Sequence, residues 1–395
     1  MRRRRFGAVG AAAFVALALA TAPAAAAADV SAHGGVARAG ISSSATDGRA
    51  EALVSEMATA EQAASIVMGH IPTTDAAALH TYMEQGLGGF ILMGANIPAT
   101  DGELRSLTSA LTVDPAIPPL VAIDQEGGLV SRLSTDGFPA STTVKSLPVA
   151  DTSAAFAARA ALVAKAGISV NFGTVADVTS DSSSFIFGRA LGTDPQTASE
   201  RVIAATTAQE QVIASTLKHF PGHGAAPGDS HHAIPETAET IDEWRATDAL
   251  PFAAGIDAGA SLLMFGHLAY TSVDSAPASL SARWHEIARD ELGFDGVIVT
   301  DDLGMLQSSG IPEYADPVRN AVSAVAAGSD LVLMIAGSTP ETAGQIVEGL
   351  ATAVDSGALP RGRLVDAATR VMSLRLQSTS ATTNWAPCSE CEPVD

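Results

Sequence analysis

Eight short runs of apolar, β-favouring residues recur along the chain at Ile66 to Ile71, Gly89 to Met93, Leu120 to Ile123, Ile168 to Phe172, Val212 to Leu217, Leu262 to Phe265, Val297 to Thr300 and Leu331 to Ile335. Between them lie Ala-rich stretches with helical composition, among them Ala154 to Ala166, Asp242 to Ala258, Ala282 to Leu292 and Glu341 to Val354. Strands that are apolar throughout, rather than alternating, belong to parallel sheets covered on both faces. Eight strand-helix units predict an α/β fold closed into a (β/α)8 TIM barrel with a single catalytic domain, with an open doubly wound sheet as the rival. The polar residues favour the barrel. Asp124 follows the third run, Asp177 the fourth, Lys218 and His219 the fifth, His267 the sixth and Asp301 the seventh. All sit at strand carboxyl ends, which converge on one mouth in a barrel.

The segment from Lys218 to His232 holds four of the chain's nine histidines and is too rich in Gly and Pro for a helix. It reads as a site loop. If Asp229, Ser230 and His231 are extended, positions i and i+2 share a side, so Asp229 and His231 can pair while Ser230 and His232 point away. A carboxylate on an imidazole yields a group able to donate and accept a proton near neutral pH. His219 and His223 have helical i, i+4 spacing, but Pro221 and Gly222 between them speak against a zinc site, so no metal and no cofactor is expected. In Val297 to Met305 a strand runs into Asp301 and Asp302; one can face the barrel axis while its neighbour packs sideways or caps the next helix. Local sequence leaves the choice open. The segment Asp124-Gln125-Glu126-Gly127-Gly128 with Arg132 offers carboxylates and a guanidinium suited to hydroxyl-rich ligands.

The termini add localisation. Arg2 to Arg5, an Ala/Val/Leu run to about Ala20 and the small residues Ala24 to Ala28 read as a signal peptide over residues 1–28, with a weak twin-arginine likeness. The run is too short and Ala-rich for a membrane anchor, so a secreted protein, extracellular or cell-wall associated, without an integral span is expected. No cysteine near the cleavage region is available for lipid attachment. Residues 29–50 read as a flexible arm, 51–375 as the catalytic domain, and 376–395 as a loose tail in which Cys388 and Cys391 can form a small disulfide loop. Without Arg2 to Arg5 the chain carries 18 basic against 43 acidic residues. Such a balance argues against nucleic acid and anionic membrane surfaces as partners. A monomer is expected.

Four segments together resemble glycoside hydrolase family 3, specifically its single-domain bacterial β-N-acetylglucosaminidases: Ile123 to Gly128, Asn171-Phe172 through Gly188 to Leu191, Lys218 to Gly224 with Asp229-Ser230-His231, and Val299 to Leu303. The resemblance covers about residues 50 to 375. It implies Asp301 as nucleophile, His231 as acid/base and Asp229 as its orienting partner, with Asp124, Arg132, Arg189, Lys218 and His219 holding the sugar and His223 as loop support. The implied function is a retaining exo-hydrolase of terminal β-linked N-acetylglucosamine from peptidoglycan fragments or chitin oligosaccharides. Rival readings are a β-glucosidase or xylosidase, a phosphorylase of the same family and a catalytically silent sugar-binding barrel. Two features depart from the family pattern: Leu129 stands where an arginine follows the two glycines, and residues 182 to 188 are Ser-rich.

Overall fold

The computed structural model describes residues 43–383, with side chains over 44–378. Ten strands form. They are β1 (Val67–Gly69), β2 (Gly89–Leu92), β3 (Leu120–Ile123), β4 (Val170–Val175), β5 (Ala214–Phe220), β6 (Glu236–Thr237), β7 (Leu262–Phe265), β8 (Ala269–Tyr270), β9 (Val297–Thr300) and β10 (Val332–Leu333). Eight of them make one all-parallel sheet in the order β10-β1-β2-β3-β4-β5-β7-β9. A parallel bridge between Val299 and Leu331, flanked by Thr300 N–H donating to Leu331 O at 3.1 Å, joins β9 to β10 and completes the ring. This is the (β/α)8 barrel, and each of the eight apolar runs supplies one of its strands. Every residue of these strands is buried, as strands sandwiched between barrel interior and helices must be.

Departures from the sequence expectation have local causes. Residues 43–50, assigned to an irregular arm, open the helix Ser43–Glu56, and the tail residues up to 383 continue the helix Arg361–Thr383. The signal peptide, residues 29–42 and the Cys388/Cys391 pair lie outside the described residues. The helix expected over 242–258 is two helices, Ile241–Ala246 and Ala249–Asp257, broken at Thr247. Pro251 has no N–H to give the Thr247 carbonyl, so a continuous helix would lose that bond. Over 282–292 the first turn is α-helical and Ile287–Glu291 widens into a π-helix.

Behind β5 and β7 an aromatic cluster fills the space under the neighbouring helices. Phe220 meets Phe265 at 4.7 Å, Phe252 at 5.3 Å and Trp284 at 5.8 Å between ring centroids. The cluster also fixes the loop that leaves β5, because Trp244 Nε1 donates to Pro221 O at 2.8 Å and the Tyr270 hydroxyl donates to Gly222 O at 2.7 Å. Core packing thus sets the stem of the histidine-rich loop.

A buried acid lies against the same stem. Burial, and then the nearby Glu239 carboxyl, push the Asp248 carboxyl up to about 8, and its Oδ1 has no hydrogen-bond partner. Asp248 therefore holds its proton in the fold at pH values where the unfolded chain has released it. Its favourable contribution is fully present below pH ~4 and is lost as pH rises through about 8. Asp248→Asn, which mimics the protonated acid, is expected to gain on the order of 1–3 kcal/mol over the parent as pH goes from 5 to 8. Thermal melts of both proteins across that range check this; parallel curves would refute it.

Candidate active site

The carboxyl ends of the barrel strands surround a pocket with about 580 Å³ of empty space, open solvent at its mouth included. Asp124, Arg132, Arg189, Lys218, His219, His231 and Asp301 all line it. Asp229 does not line it and instead holds His231. The structure thus gathers the residues singled out in the sequence from the ends of β3, β4, β5 and β9 and from the loop after β5.

The pocket floor is an ion-pair network. Lys218 Nζ, at the end of β5, donates to Asp124 Oδ1 at 3.0 Å and lies 2.7 Å from Glu126 Oε1. Arg189 grips Glu126 with two parallel bonds, Nη2 to Oε1 at 2.7 Å and Nε to Oε2 at 3.0 Å. Arg132 Nη2 reaches Asp124 Oδ2 at 3.3 Å. Burial alone would raise the Asp124 and Glu126 carboxyls, but Lys218 and then Arg132 or Arg189 more than offset it, so both are held below the usual carboxylate range. Burial likewise opposes the charge on Lys218, and the two carboxylates reverse it.

Local backbone places these groups. Gln125 Oε1 accepts from the N–H groups of Arg132 and Leu133 at 2.9 and 3.0 Å, folding the segment after β3 back on itself. Asn171 clasps the Gln125 backbone, accepting from its N–H at 3.0 Å and donating to its carbonyl at 3.0 Å. At Gly127, φ is +87°, and a Cβ would lie 2.2 Å from Arg159 Nη2, so any side chain there would strain the turn and displace Arg159. Leu129, in the place of the family arginine, is 76 % exposed and overhangs Gly188 instead of lining the pocket.

Asp301 and Asp302 divide their work as strand geometry allows. Asp302 accepts from Gly304 N–H at 2.9 Å, capping the helix Leu303–Ser308, and from Ile335 and Ala336 N–H at 2.7 and 2.9 Å. Asp301 faces the pocket, with only the Asp302 N–H on its Oδ1 at 2.8 Å. Burial pushes the Asp301 carboxyl up, but His219, His267, that N–H and Lys218 together bring it below the ordinary value. A half-buried, ionised carboxylate with a free oxygen is a competent nucleophile.

The loop pair forms, by a different backbone route from the one expected. Residues 230–232 make a turn, in which Asp229 Oδ1 accepts from the His231 N–H at 3.0 Å as well as pairing with His231 Nδ1. Ser230 is consequently buried against the pocket instead of pointing away. The Asp229 and His231 side chains are 47 % and 55 % exposed, which makes them the outermost groups of the site.

Sequence reading named Glu126 and Asp177 but gave neither a place of its own in the site, and it did not name Phe185. Glu126, two positions beyond Asp124 on an extended segment, carried the i, i+2 signal for a shared face. Asp177, at the end of β4, accepts from His219 Nδ1 at 2.7 Å and from the N–H groups of His219 and His223 at 3.1 and 2.6 Å. Its strand-end position was the signal. With Nδ1 donating there, His219 Nε2 is left to accept from Arg189 Nη2 at 3.3 Å. Phe185 and His223 complete the wall. Among the described residues no group of three or more His, Cys, Asp or Glu is placed to hold a metal ion, and no helix is long and apolar enough to cross a membrane.

The family model for the glycosyl hydrolase family 3 N terminal domain matches residues 28–374. The chain belongs to glycoside hydrolase family 3. It is therefore a glycoside hydrolase acting on carbohydrate. Family relatives include a beta-hexosaminidase of Pseudomonas aeruginosa, 39 % identical over 260 residues that cover 63 % of this chain and 75 % of that one. Another, from Methylococcus capsulatus, is 35 % identical over 273 residues, covering 67 % and 79 %. Among solved structures, a family 3 β-N-acetylglucosaminidase from a Paenibacillus species superposes with a TM-score of 0.76 at 27 % identity over 84 % of this chain. The match spans 64 % of that longer protein.

Proposed function

We propose that the protein is a secreted, retaining exo-β-N-acetylglucosaminidase. Asp301 attacks the anomeric carbon while His231 protonates the departing oxygen; water then opens the glycosyl-enzyme with His231 as base. The observation that carries this reading is the Asp229–His231 pair, whose imidazole lines the same pocket as the Asp301 carboxylate. Asp124, Arg132, Arg189, Lys218 and His219 hold the terminal sugar, since carboxylates accept from ring hydroxyls and cations donate to hydroxyl and amide oxygens. The curated relatives' names, beta-hexosaminidase, support the substrate class. The Arg-rich, Ala-rich N-terminal sequence supports export, and export with this chemistry favours terminal β-linked N-acetylglucosamine of peptidoglycan fragments or chitin oligosaccharides.

The test is initial-rate hydrolysis of nitrophenyl β-N-acetylglucosaminide, β-glucoside and β-xyloside, each with and without inorganic phosphate. The N-acetylglucosaminide is expected to be cleaved at least tenfold faster than the others, to free sugar in both buffers. Faster cleavage of the glucoside or xyloside would overturn the substrate, and exclusive formation of sugar 1-phosphate would replace hydrolysis by phosphorolysis.

A further inference from the structure

We propose that His223 is a substrate-binding residue whose imidazole exchanges a hydrogen bond with a hydroxyl of the sugar seated beside Asp301. The inference rests on the glycosidase reading above and assigns a role to a side chain which that reading leaves idle.

His223 is 1 % exposed, it forms part of the pocket wall, and neither Nδ1 nor Nε2 has a hydrogen-bond partner. The other buried histidines of the described residues are engaged. His219 uses both nitrogens, on Asp177 and Arg189; His267 uses both, on Ser279 Oγ and the Asp302 carbonyl. His285 likewise bonds Ser281 O and Ser329 Oγ, and His70 bonds Ile91 O. Buried polar groups are almost always satisfied, and an unmet one costs free energy. One that survives in the wall of a binding pocket points to a partner that arrives with the ligand.

The ring is held in place by other means. The His223 backbone N–H donates to Asp177 Oδ1 at 2.6 Å, and Phe185 packs edge-on against the ring with centroids 4.6 Å apart. Next to it, Gly224 lies so close to Val178 that an added Cβ would be 1.7 Å from the Val178 carbonyl oxygen. Burial pushes the imidazole down to about 4, outweighing Asp177, so near neutral pH it is uncharged and offers one donor and one acceptor. A sugar hydroxyl has the matching pair. It can bond this ring without displacing any hydrogen bond within the protein.

The experiment compares parent, His223→Phe and His223→Gln on the nitrophenyl glycoside that the parent cleaves and on its 3-, 4- and 6-deoxy analogues, with melting temperatures. His223→Phe is expected to lose roughly 10- to 100-fold in kcat/KM with no fall in Tm, because no protein hydrogen bond is removed. His223→Gln is expected to recover part of the loss. On the deoxy analogue missing the contacted hydroxyl, parent and His223→Phe should converge. Parental kcat/KM in His223→Phe, or the same loss on every analogue, overturns the assignment. Should His223→Phe not fold, His223→Gln decides by whether its own loss is confined to one analogue. A parent that cleaves the glucoside and not the N-acetylglucosaminide refutes the substrate reading, and His223 is then judged on the glucoside series.

Discussion

Asp301→Asn is expected to lower kcat on nitrophenyl N-acetylglucosaminide by roughly 10³-fold or more, since an amide cannot form the glycosyl ester through which a retaining hydrolase works. The fold should survive, because the backbone around residue 301 is held independently by its own N–H donating to Phe265 O at 2.8 Å. Stability changes with a definite sign. Asp301 is held below the usual carboxylate range in the fold, so its ionised form contributes stability above the unfolded value, lost as pH falls through the folded one. Asp301→Asn should therefore melt slightly below the parent near neutral pH and converge with it in acid. Mass spectrometry supplies the chemical check: a slow fluorinated glycoside should add one sugar mass to the parent and none to the variant. Turnover within threefold of the parent would remove Asp301 from the nucleophile's role, and the barrel would need another carboxylate facing the anomeric carbon.

The barrel was legible in the sequence because burial on both faces leaves a strand no polar position, and eight such runs stand out against Ala-rich helices. What was not legible had weaker or masked signals. β6 and β8 are two residues each, too short to show any period. β5 continues past Leu217 through Lys218, His219 and Phe220, because the polar side chains find partners inside the barrel mouth and polarity there does not end the strand. The split at Thr247 hinged on one proline inside an otherwise helical stretch. In the site, the strand-end rule located Asp124, Lys218 and Asp301, but not who pairs with whom: Arg189 and Glu126 meet across 63 positions. The Asp229–His231 pair was foreseen from an extended alternation that the chain does not adopt; the Asx-type turn brings the same atoms together and turns Ser230 inward. His223 was read as loop support, yet only its backbone supports the loop, and its ring is unengaged.

The Asp301 and His231 roles divide the reaction, so removing the second should leave a different signature. His231→Ala is expected to lose roughly 10²- to 10⁴-fold on a disaccharide, whose poor leaving group needs a proton, and far less in cleavage of the nitrophenyl glycoside, whose leaving group departs as an anion. With attack intact and the base missing, the glycosyl-enzyme should accumulate, and added azide, a nucleophile that needs no deprotonation, should restore turnover as glycosyl azide. Neither effect can be mistaken for unfolding. The His231 side chain is 55 % exposed and its partner Asp229 is 47 % exposed, so trimming it removes no packing, and stability should stay within about 0.5 kcal/mol of the parent. The Asp229 carboxyl, which burial alone would raise, is held down by the His231 N–H and imidazole, so it should move up toward its ordinary value as the ring is lost. Equal losses on disaccharide and nitrophenyl substrates, with no response to azide, would mean that the loop imidazole only positions substrate, and the proton would have to come from another group in the pocket.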